Sequence, residues 1–187
     1  MVSPFLFFPG ERLSIAELTA ACLDGILVPL GAGYIPADAV ETPWMRARSI
    51  APLVGERWAA IRLSAAWIHG GVLTEPYRHH VQRVAATRAR APHDARVVSH
   101  EVRLAAADVR QVAGVSVTSP VRTLVDLARS DDETERRAAR MWAADDPGAR
   151  DDAVEWLARH PRFPFARRAA DVLAQTAAGR SESQPTS

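Results

Sequence analysis

The sequence predicts an α+β fold, with strands and helices mixed up to residue 130 and helices alone beyond it. Short β-prone runs such as Ile26–Leu30 and Val115–Thr118 are bounded by glycine and proline. The stretch after Ser119 has apolar residues three and four positions apart, which is helical spacing. A chain of 187 residues, 48% hydrophobic and 24% charged, is long enough to bury a core.

The first 42 residues predict a reduced, degenerate winged-helix element. Ser14 as N-cap and Glu17 three residues later form a capping box for a helix over Ile15–Leu23. Two short runs joined by Gly31-Ala32-Gly33 then predict a hairpin, and a helix followed by a hairpin is a fragment of the winged-helix pattern. Residues 1–14 lack a basic n-region and are interpreted as a strand or arm rather than a signal peptide.

Residues 43–130 predict a small α/β domain. Pro43 opens a helix that Pro52 bends or ends, and Leu63–His69 forms another helix that stops at two glycines. Two β-prone segments follow, at 80–87 and 96–103. Residues 108–111 are interpreted as a polar turn before the strand Val115–Thr118. Three tryptophans are placed on helices, where packing of their rings in the core is favoured over stacking on a ligand: Trp44, Trp58 and Trp67.

The helix after Ser119-Pro120 is the clearest in the chain. Its apolar stripe is formed by Val121, Leu124, Val125 and Ala128. Arg122 and Asp126 are i, i+4 neighbours on the other side. Residues 131–178 then predict a helical appendage, with helices running to 142, over 151–159 and over 165–177. Residues 179–187 are polar, and we expect them to be disordered.

The charge is unevenly distributed along the chain. All 23 basic residues are arginine, which excludes a Schiff-base lysine, a P-loop lysine and a lysine-dependent nuclease centre. Residues 1–42 contain one arginine and five acids, a net charge of −4. Residues 43–110 contain eleven arginines and five acids, a net charge of +6, and residues 111–187 come to −1. A polyanion would therefore bind the middle of the chain.

Six arginines around the two middle β-prone segments are the candidate nucleic-acid-binding residues: Arg78, Arg83, Arg88, Arg90, Arg96 and Arg103. A planar guanidinium suits phosphate oxygens, and strands could present these groups in a row. The alternative is a solvated sheet face without a ligand.

Other chemistry is weakly represented in the sequence. His79 and His80 are adjacent, so on a strand they point to opposite faces and cannot chelate one ion together. We therefore expect no metal site and no cofactor. Paired acids at 145–146 and 151–152 are interpreted as helix caps, and Ser119 as an N-cap. The single cysteine, Cys22, excludes an intrachain disulfide, and no apolar run is long enough to span a membrane.

Three segments together resemble one family: LDGILVPLGAGYIP at 23–36, LSAAWIHG at 63–70 and GVSVTSPVRTLVDLAR at 114–129. They are similar to AbiEi-like antitoxins of type IV toxin–antitoxin systems, as found in actinobacteria. The likeness covers about residues 13–130. Its most specific part is the strand, turn and helix at 117–128.

The resemblance implies a cytoplasmic bacterial antitoxin or transcriptional regulator that binds DNA, a nucleotidyltransferase-like toxin, or both, without catalysis. Two departures qualify it. The winged helix is shortened to a single helix, which carries Glu17 and Asp24 but no arginine. The nuclease-like domain of some relatives needs a lysine, which this chain lacks. A protein-interaction module that has kept the fold but lost DNA binding is the alternative.

Overall fold

The computed structural model describes residues 5–86 and 90–181. This part of the chain has the predicted α+β fold. Its strands are β1 (Leu27–Leu30), β2 (Gly33–Pro36), β3 (Trp58–Ala60), β4 (His79–Arg83), β5 (Val97–His100), β6 (Val109–Val112) and β7 (Val115–Thr118). Its helices are α1 (Ile15–Leu23), α2 (Pro43–Ser49), α3 (Ala51–Val54), α4 (Arg62–His69), α5 (Pro120–Ala128), α6 (Glu133–Asp145), α7 (Pro147–Arg159) and α8 (Ala166–Ser181).

The N-terminal unit consists of α1 and the β1–β2 hairpin, as predicted. The capping box of α1 is present: the Glu17 N–H donates to the Ser14 hydroxyl, and the Glu17 carboxylate accepts from the Ser14 N–H. β1 and β2 pair antiparallel. The arm before α1 adds an antiparallel bridge, in which Phe7 and Tyr34 exchange two hydrogen bonds of 2.9 Å.

Two backbone donors at the tip of the hairpin fasten this unit to the rest of the molecule. The Gly31 N–H donates to the Glu75 carboxylate at 3.0 Å, and the Ala32 N–H donates to the Ser49 carbonyl at 3.0 Å. Gly31 has φ +60°, and a Cβ there would lie 2.4 Å from the Ser49 hydroxyl oxygen. Only glycine permits both this backbone conformation and this close approach.

The central sheet is mixed, with strand order β5-β4-β3-β7-β6. β3 pairs antiparallel with β4 and parallel with β7, while β4 and β5 pair in parallel. Our placement of Trp58 on a helix is wrong, because it begins the three-residue central strand β3. The polar turn predicted at 108–111 is also wrong. Val109–Val112 is the edge strand β6, joined to β7 by Ala113 and Gly114, both at positive φ as a tight hairpin requires.

The first core lies between one face of this sheet and the elements α2, α3, α4 and the hairpin. It contains the buried side chains of Trp67, Ile50, Val81 and Val117, together with Leu30 and Ile35 from the hairpin. The other face of the sheet carries a much smaller buried cluster of three residues, Ala59, Ile61 and Leu104. The two faces are therefore packed very unequally.

A second core surrounds α5. Its stripe is buried as predicted, with Leu124, Val125 and Ala128 each 0% exposed. Helices α6, α7 and α8 all pack against α5, and Ala66 of α4 joins the same cluster. The C-terminal helices therefore share a core with α5. The domain boundaries at 42 and 130 stay predictions.

Several helix limits differ from the predicted ones. α7 begins at Pro147 rather than 151, because the Asp146 side chain caps it by accepting from the Ala149 N–H. α8 extends to Ser181, three residues into the segment expected to be disordered, and residues 182–187 lie outside the described part of the chain. Trp44 is 45% exposed and so is not a core residue. No described helix is long and apolar enough to cross a bilayer.

Candidate functional site

The six candidate arginines do not form one row. Arg88 lies outside the described residues. The other five divide into two groups. Arg83 and Arg96 are engaged by neighbouring groups of the protein, whereas Arg78, Arg90 and Arg103 are exposed.

Arg83 acts as a clamp at the end of β4. Its guanidinium donates to the carbonyls of Glu101, at 3.0 Å, and of Ala85, at 2.8 Å, and its side chain is only 17% exposed. These bonds hold the segment after β5 against β4. Arg83 therefore has a structural role, and its charge is poorly placed to reach a phosphate.

Arg96 forms a two-pronged ion pair with Asp94. Its Nε and Nη2 lie 3.1 and 2.9 Å from the two carboxylate oxygens. The side-chain and backbone hydrogen bonds from Arg96 lower the pKa of Asp94 to about 2, and the hydrogen bond with Asp94 raises the pKa of Arg96. The pair stays ionised at neutral pH, so its two charges largely cancel.

The guanidinium groups of Arg78, Arg90 and Arg103 form no hydrogen bond or ion pair within the described residues. Arg90 borders a cleft of about 380 Å³ beside Trp58, together with Arg57 and His93. Arg103 borders another cleft, of about 310 Å³, beside Ser116. Trp58 packs in the main core, whereas Ser116 lies on the strand side opposite Val115 and Val117, so the two clefts lie towards different faces of the sheet. Binding by Arg90 and Arg103 at once would therefore require a ligand that wraps around the sheet edge.

Helix α1, which the family resemblance would make the recognition helix, presents an outer face without charge. Ile15 is 56% exposed and Leu23 85%. They share a helical face with three small exposed residues, Ala16, Thr19 and Ala20. The Thr19 hydroxyl, the only polar group among them, donates to the Ile15 carbonyl at 2.7 Å. This face therefore has no arginine, asparagine or glutamine with which to read a base edge.

The helix in the most specific segment of the resemblance, α5, holds a nearly buried ion cluster. The Asp126 carboxylate accepts from Arg122 at 2.9 Å and from Arg129 at 2.8 Å, and Arg122 also binds Asp108. Both guanidinium groups lie over the Phe163 ring, 4.8 and 4.9 Å from its centroid. The cluster joins α5 to the start of β6 and to the loop before α8. It is a structural feature of the fold.

The two adjacent histidines point to opposite faces, as predicted. His79 is 2% exposed and its Nε2 lies 3.0 Å from the Glu75 carboxylate. Burial opposes ionisation of Glu75, but hydrogen bonds from His79 and from the Gly31 N–H outweigh burial and lower its pKa. Glu75 thus links the sheet to the N-terminal hairpin.

Sequence analysis missed the pairing of His80 with His100. His80 Nδ1 lies 3.2 Å from His100 Nε2, and the rings are stacked at 5.4 Å between centroids. Burial, together with the neighbouring charges of His100 and Arg62, lowers the pKa of His80 to about 4, and burial also lowers the pKa of His100. The parallel register of β4 and β5 brings together residues 20 positions apart. No spacing rule along the chain predicts such a pair.

Arg62 and Glu135 lie beside this histidine pair. Arg62 starts α4 at φ +52°, an unfavourable conformation for arginine. Its guanidinium is 3.4 Å from the Glu135 carboxylate, which is 4% exposed. Burial raises the pKa of Glu135, and one of its carboxylate oxygens has no hydrogen-bond donor among the described residues.

The remaining sequence candidates have local structural roles. Asp146 caps α7, and the Ser119 hydroxyl accepts from the Arg122 N–H at 3.2 Å. The interpretation of Asp151 and Asp152 as caps is wrong, because both lie inside α7, where Asp151 pairs with Arg150. Within the described residues, no three side chains of histidine, cysteine, aspartate or glutamate converge as metal ligands.

Comparison with known proteins gives one family match. Residues 58–146 match the AbiEi antitoxin C-terminal domain. This range runs from β3 to the end of α6, so it contains the central sheet, α4 and α5. No curated protein matches the chain.

Among solved structures, the chain is similar to the crystal structure of the RV2827C protein from Mycobacterium tuberculosis, with 19% sequence identity and a TM-score of 0.47. The match covers 89% of this chain and 66% of that one, slightly less than two thirds of its length. The segment that matches the family, residues 58–146, is slightly less than half of the 187-residue chain.

Proposed function

We propose that this protein is an AbiEi-like antitoxin of a bacterial type IV toxin–antitoxin system, which acts in the cytoplasm by binding and not by catalysis. The observation that carries the proposal is the match of residues 58–146 to the antitoxin C-terminal domain. The partner expected from the family resemblance is a nucleotidyltransferase-like toxin. A regulatory role on DNA is the second part of the proposal.

The expectation of a toxin partner can be tested with the gene next to the one that encodes this chain. The neighbouring gene product is expressed alone and together with this protein in a bacterial host. We expect growth arrest in the first case and rescue in the second. The control is Leu124→Asp, which disrupts the core around α5 and should abolish rescue. A neighbour that is harmless, or toxic but not rescued, would contradict the antitoxin proposal.

The DNA-binding part depends on the exposed arginines of the middle segment. Arg78, Arg90 and Arg103 support it, because their charges are not cancelled by carboxylates within the described residues. We do not expect helix α1 to read bases. Its outer face has no suitable hydrogen-bond donors, and residues 1–42 carry a net charge of −4. Binding would therefore be directed mainly at phosphates.

Fluorescence anisotropy with the DNA upstream of the gene, at several salt concentrations, tests this assignment. Replacing Arg78 and Arg103 with alanine should weaken binding to all sequences alike. The slope of log K against log salt should fall by about 0.9 for each phosphate that the variant no longer neutralises. Thr19→Ala in α1 is the matched control and should change little. If Thr19→Ala removes sequence preference while the arginine variant binds normally, α1 is a recognition helix after all.

The alternative is an interaction module that has kept the fold but lost DNA binding. The apolar outer face of α1 favours it, because exposed isoleucine and leucine suit a protein partner better than a phosphate backbone. Absence of any salt-dependent DNA binding, combined with rescue of the toxic neighbour, would place this alternative first.

A further inference from the structure

Two imidazoles contact each other on the face of the central sheet that carries the smaller buried cluster. His80 on β4 and His100 on β5 are both half-buried, and the facing nitrogens, Nδ1 and Nε2, are 3.2 Å apart. We propose that His80 and His100 form a two-histidine chelate for a late first-row divalent metal ion such as Zn²⁺ or Ni²⁺. This inference is independent of the proposed antitoxin function.

The distance between the nitrogens fits this chemistry. Zn–N bonds are about 2.0–2.1 Å long, so two nitrogens on one tetrahedral ion lie about 3.3 Å apart. The observed 3.2 Å is therefore close to the separation that an ion would impose. Small rotations of the two rings would aim both lone pairs at one point instead of at each other.

Metal binding requires both facing nitrogens to be unprotonated. A neutral imidazole is a ligand, whereas a protonated one is not. The hydrogen bond between the facing nitrogens needs an acceptor lone pair on one ring, so at least one of the two rings is neutral. In the metal-free pair, one facing nitrogen carries the proton of the hydrogen bond. On binding, that proton would move to the other nitrogen of the same ring, with no change in the charge of the pair.

Two arginines and one aspartate are the fixed charges that act on His80. Arg62, on α4, and Arg78, before β4, disfavour a cation near His80, whereas Asp132, before α6, favours it. The Arg62 charge is in addition partly cancelled by Glu135, 3.4 Å away. The two arginines should therefore weaken the binding of a cation, and the Asp132 and Glu135 carboxylates offset them only in part.

The site offers two protein ligands, since no third histidine, cysteine or carboxylate converges on it within the described residues. The ion would keep open positions for water or for a group from a bound partner. Imidazole ligands select late first-row ions over Mg²⁺ and Ca²⁺, which require oxygen ligands. We therefore expect Zn²⁺ and Ni²⁺ to bind and Mg²⁺ not to bind.

The test uses the full chain without an affinity tag. Zn²⁺ is titrated calorimetrically into the wild type and into His80→Gln, His100→Gln and His93→Gln variants. His93, which is exposed and belongs to a different cleft, is the matched control. The wild type and His93→Gln should each bind one Zn²⁺. His80→Gln and His100→Gln should each lose more than the roughly 10–100-fold in affinity that removal of an outer-shell partner costs.

A second measurement does not depend on the variants folding. In the NMR spectrum of the wild type, Zn²⁺ should shift the imidazole nitrogens of His80 and His100 and leave those of His69 and His160 unchanged. Three results would overturn the proposal: no Zn²⁺ binding to the wild type, binding that survives both substitutions in folded variants, or imidazole shifts at histidines other than this pair.

Discussion

Helices α1 and α5 are nine residues long, and each begins at a serine N-cap whose hydroxyl accepts from the N–H three residues later. Most residues of both helices are apolar. Yet α1 buries one residue, Leu18, whereas α5 buries six. Local signals therefore specify a helix without specifying its environment. α5 is surrounded by four other helices, while α1 contacts mainly β1.

The charges follow the same contrast. In α5 the Asp126 carboxylate is 4% exposed and is held by two arginines. In α1 the charged Glu17 is exposed and satisfies its own helix start. The surface of α1 is therefore available for a partner, and that of α5 is committed to the core. Substitutions of matched chemistry in the two helices should have very different effects.

The largest expected effect comes from placing a carboxylate on each helix. Leu124→Asp in α5 buries an unpaired charge at a position that is 0% exposed, and this should cost a large part of a typical unfolding free energy of about 5–15 kcal/mol. Leu23→Asp in α1, at 85% exposure, should change stability by less than about 0.5 kcal/mol. Urea denaturation of both variants measures the difference. Equal losses would mean that α1 is part of the core.

Removal of the buried anion should have the next largest effect. Asp126→Ala leaves Arg122 and Arg129 partly buried without their shared partner, so we expect a loss of about 3 kcal/mol in unfolding free energy. Asp151→Ala, which breaks the exposed pair with Arg150, should cost less than about 0.5 kcal/mol. Thermal unfolding of the two variants compares them. A small loss of unfolding free energy for Asp126→Ala would show that Asp108 alone is enough to compensate the charges of Arg122 and Arg129.

Acidification should affect residues 1–42 and the rest of the chain differently, because all six histidines lie beyond residue 42. The pKa of His80 is depressed to about 4 in the folded state, so its contribution to stability is complete above about pH 6.5 and is lost as the pH falls towards 4. Arg62, Arg78, His100 and Asp132 are the charged groups that act on it. Solvent screens a half-exposed imidazole, so the loss should be smaller than that for Asp126→Ala.

The urea midpoint followed by tryptophan fluorescence measures this pH dependence, since all five tryptophans also lie beyond residue 42. His80→Gln should flatten the curve between pH 6.5 and 4. An unchanged curve would mean that other groups, such as His69, whose pKa burial also lowers, dominate the acid response.

The smallest effect is expected at the two helix caps. Ser119→Ala removes the hydroxyl that accepts from the Arg122 N–H and should cost about 1 kcal/mol of global stability. Ser14→Ala removes the same kind of bond in α1, but there the loss should appear mainly as local fraying. Hydrogen exchange separates the two cases. Faster exchange throughout the molecule in Ser14→Ala would show that α1 is coupled to global unfolding.

Much of the local structure could be predicted because its causes lie within a few residues. The capping box at Ser14, the N-cap at Ser119 and the glycine stop after α4 are contacts between near neighbours, and all three are present. The apolar stripe of α5 could also be predicted from the sequence, because a helix repeats its buried face every three to four residues. These features follow from backbone geometry and need no knowledge of distant parts of the chain.

The meeting of distant segments could not be predicted in the same way. Trp58–Ala60 is too short to be recognised as a strand, and it becomes the centre of the sheet through β4 on one side and β7 on the other. Arg83 becomes a clamp, and His80 meets His100, only because β4 and β5 pair in parallel. Local sequence was sufficient for the helices, their caps and the uneven charge. Burial and strand register, which depend on long-range packing, determined which of those charges and imidazoles remain available for binding.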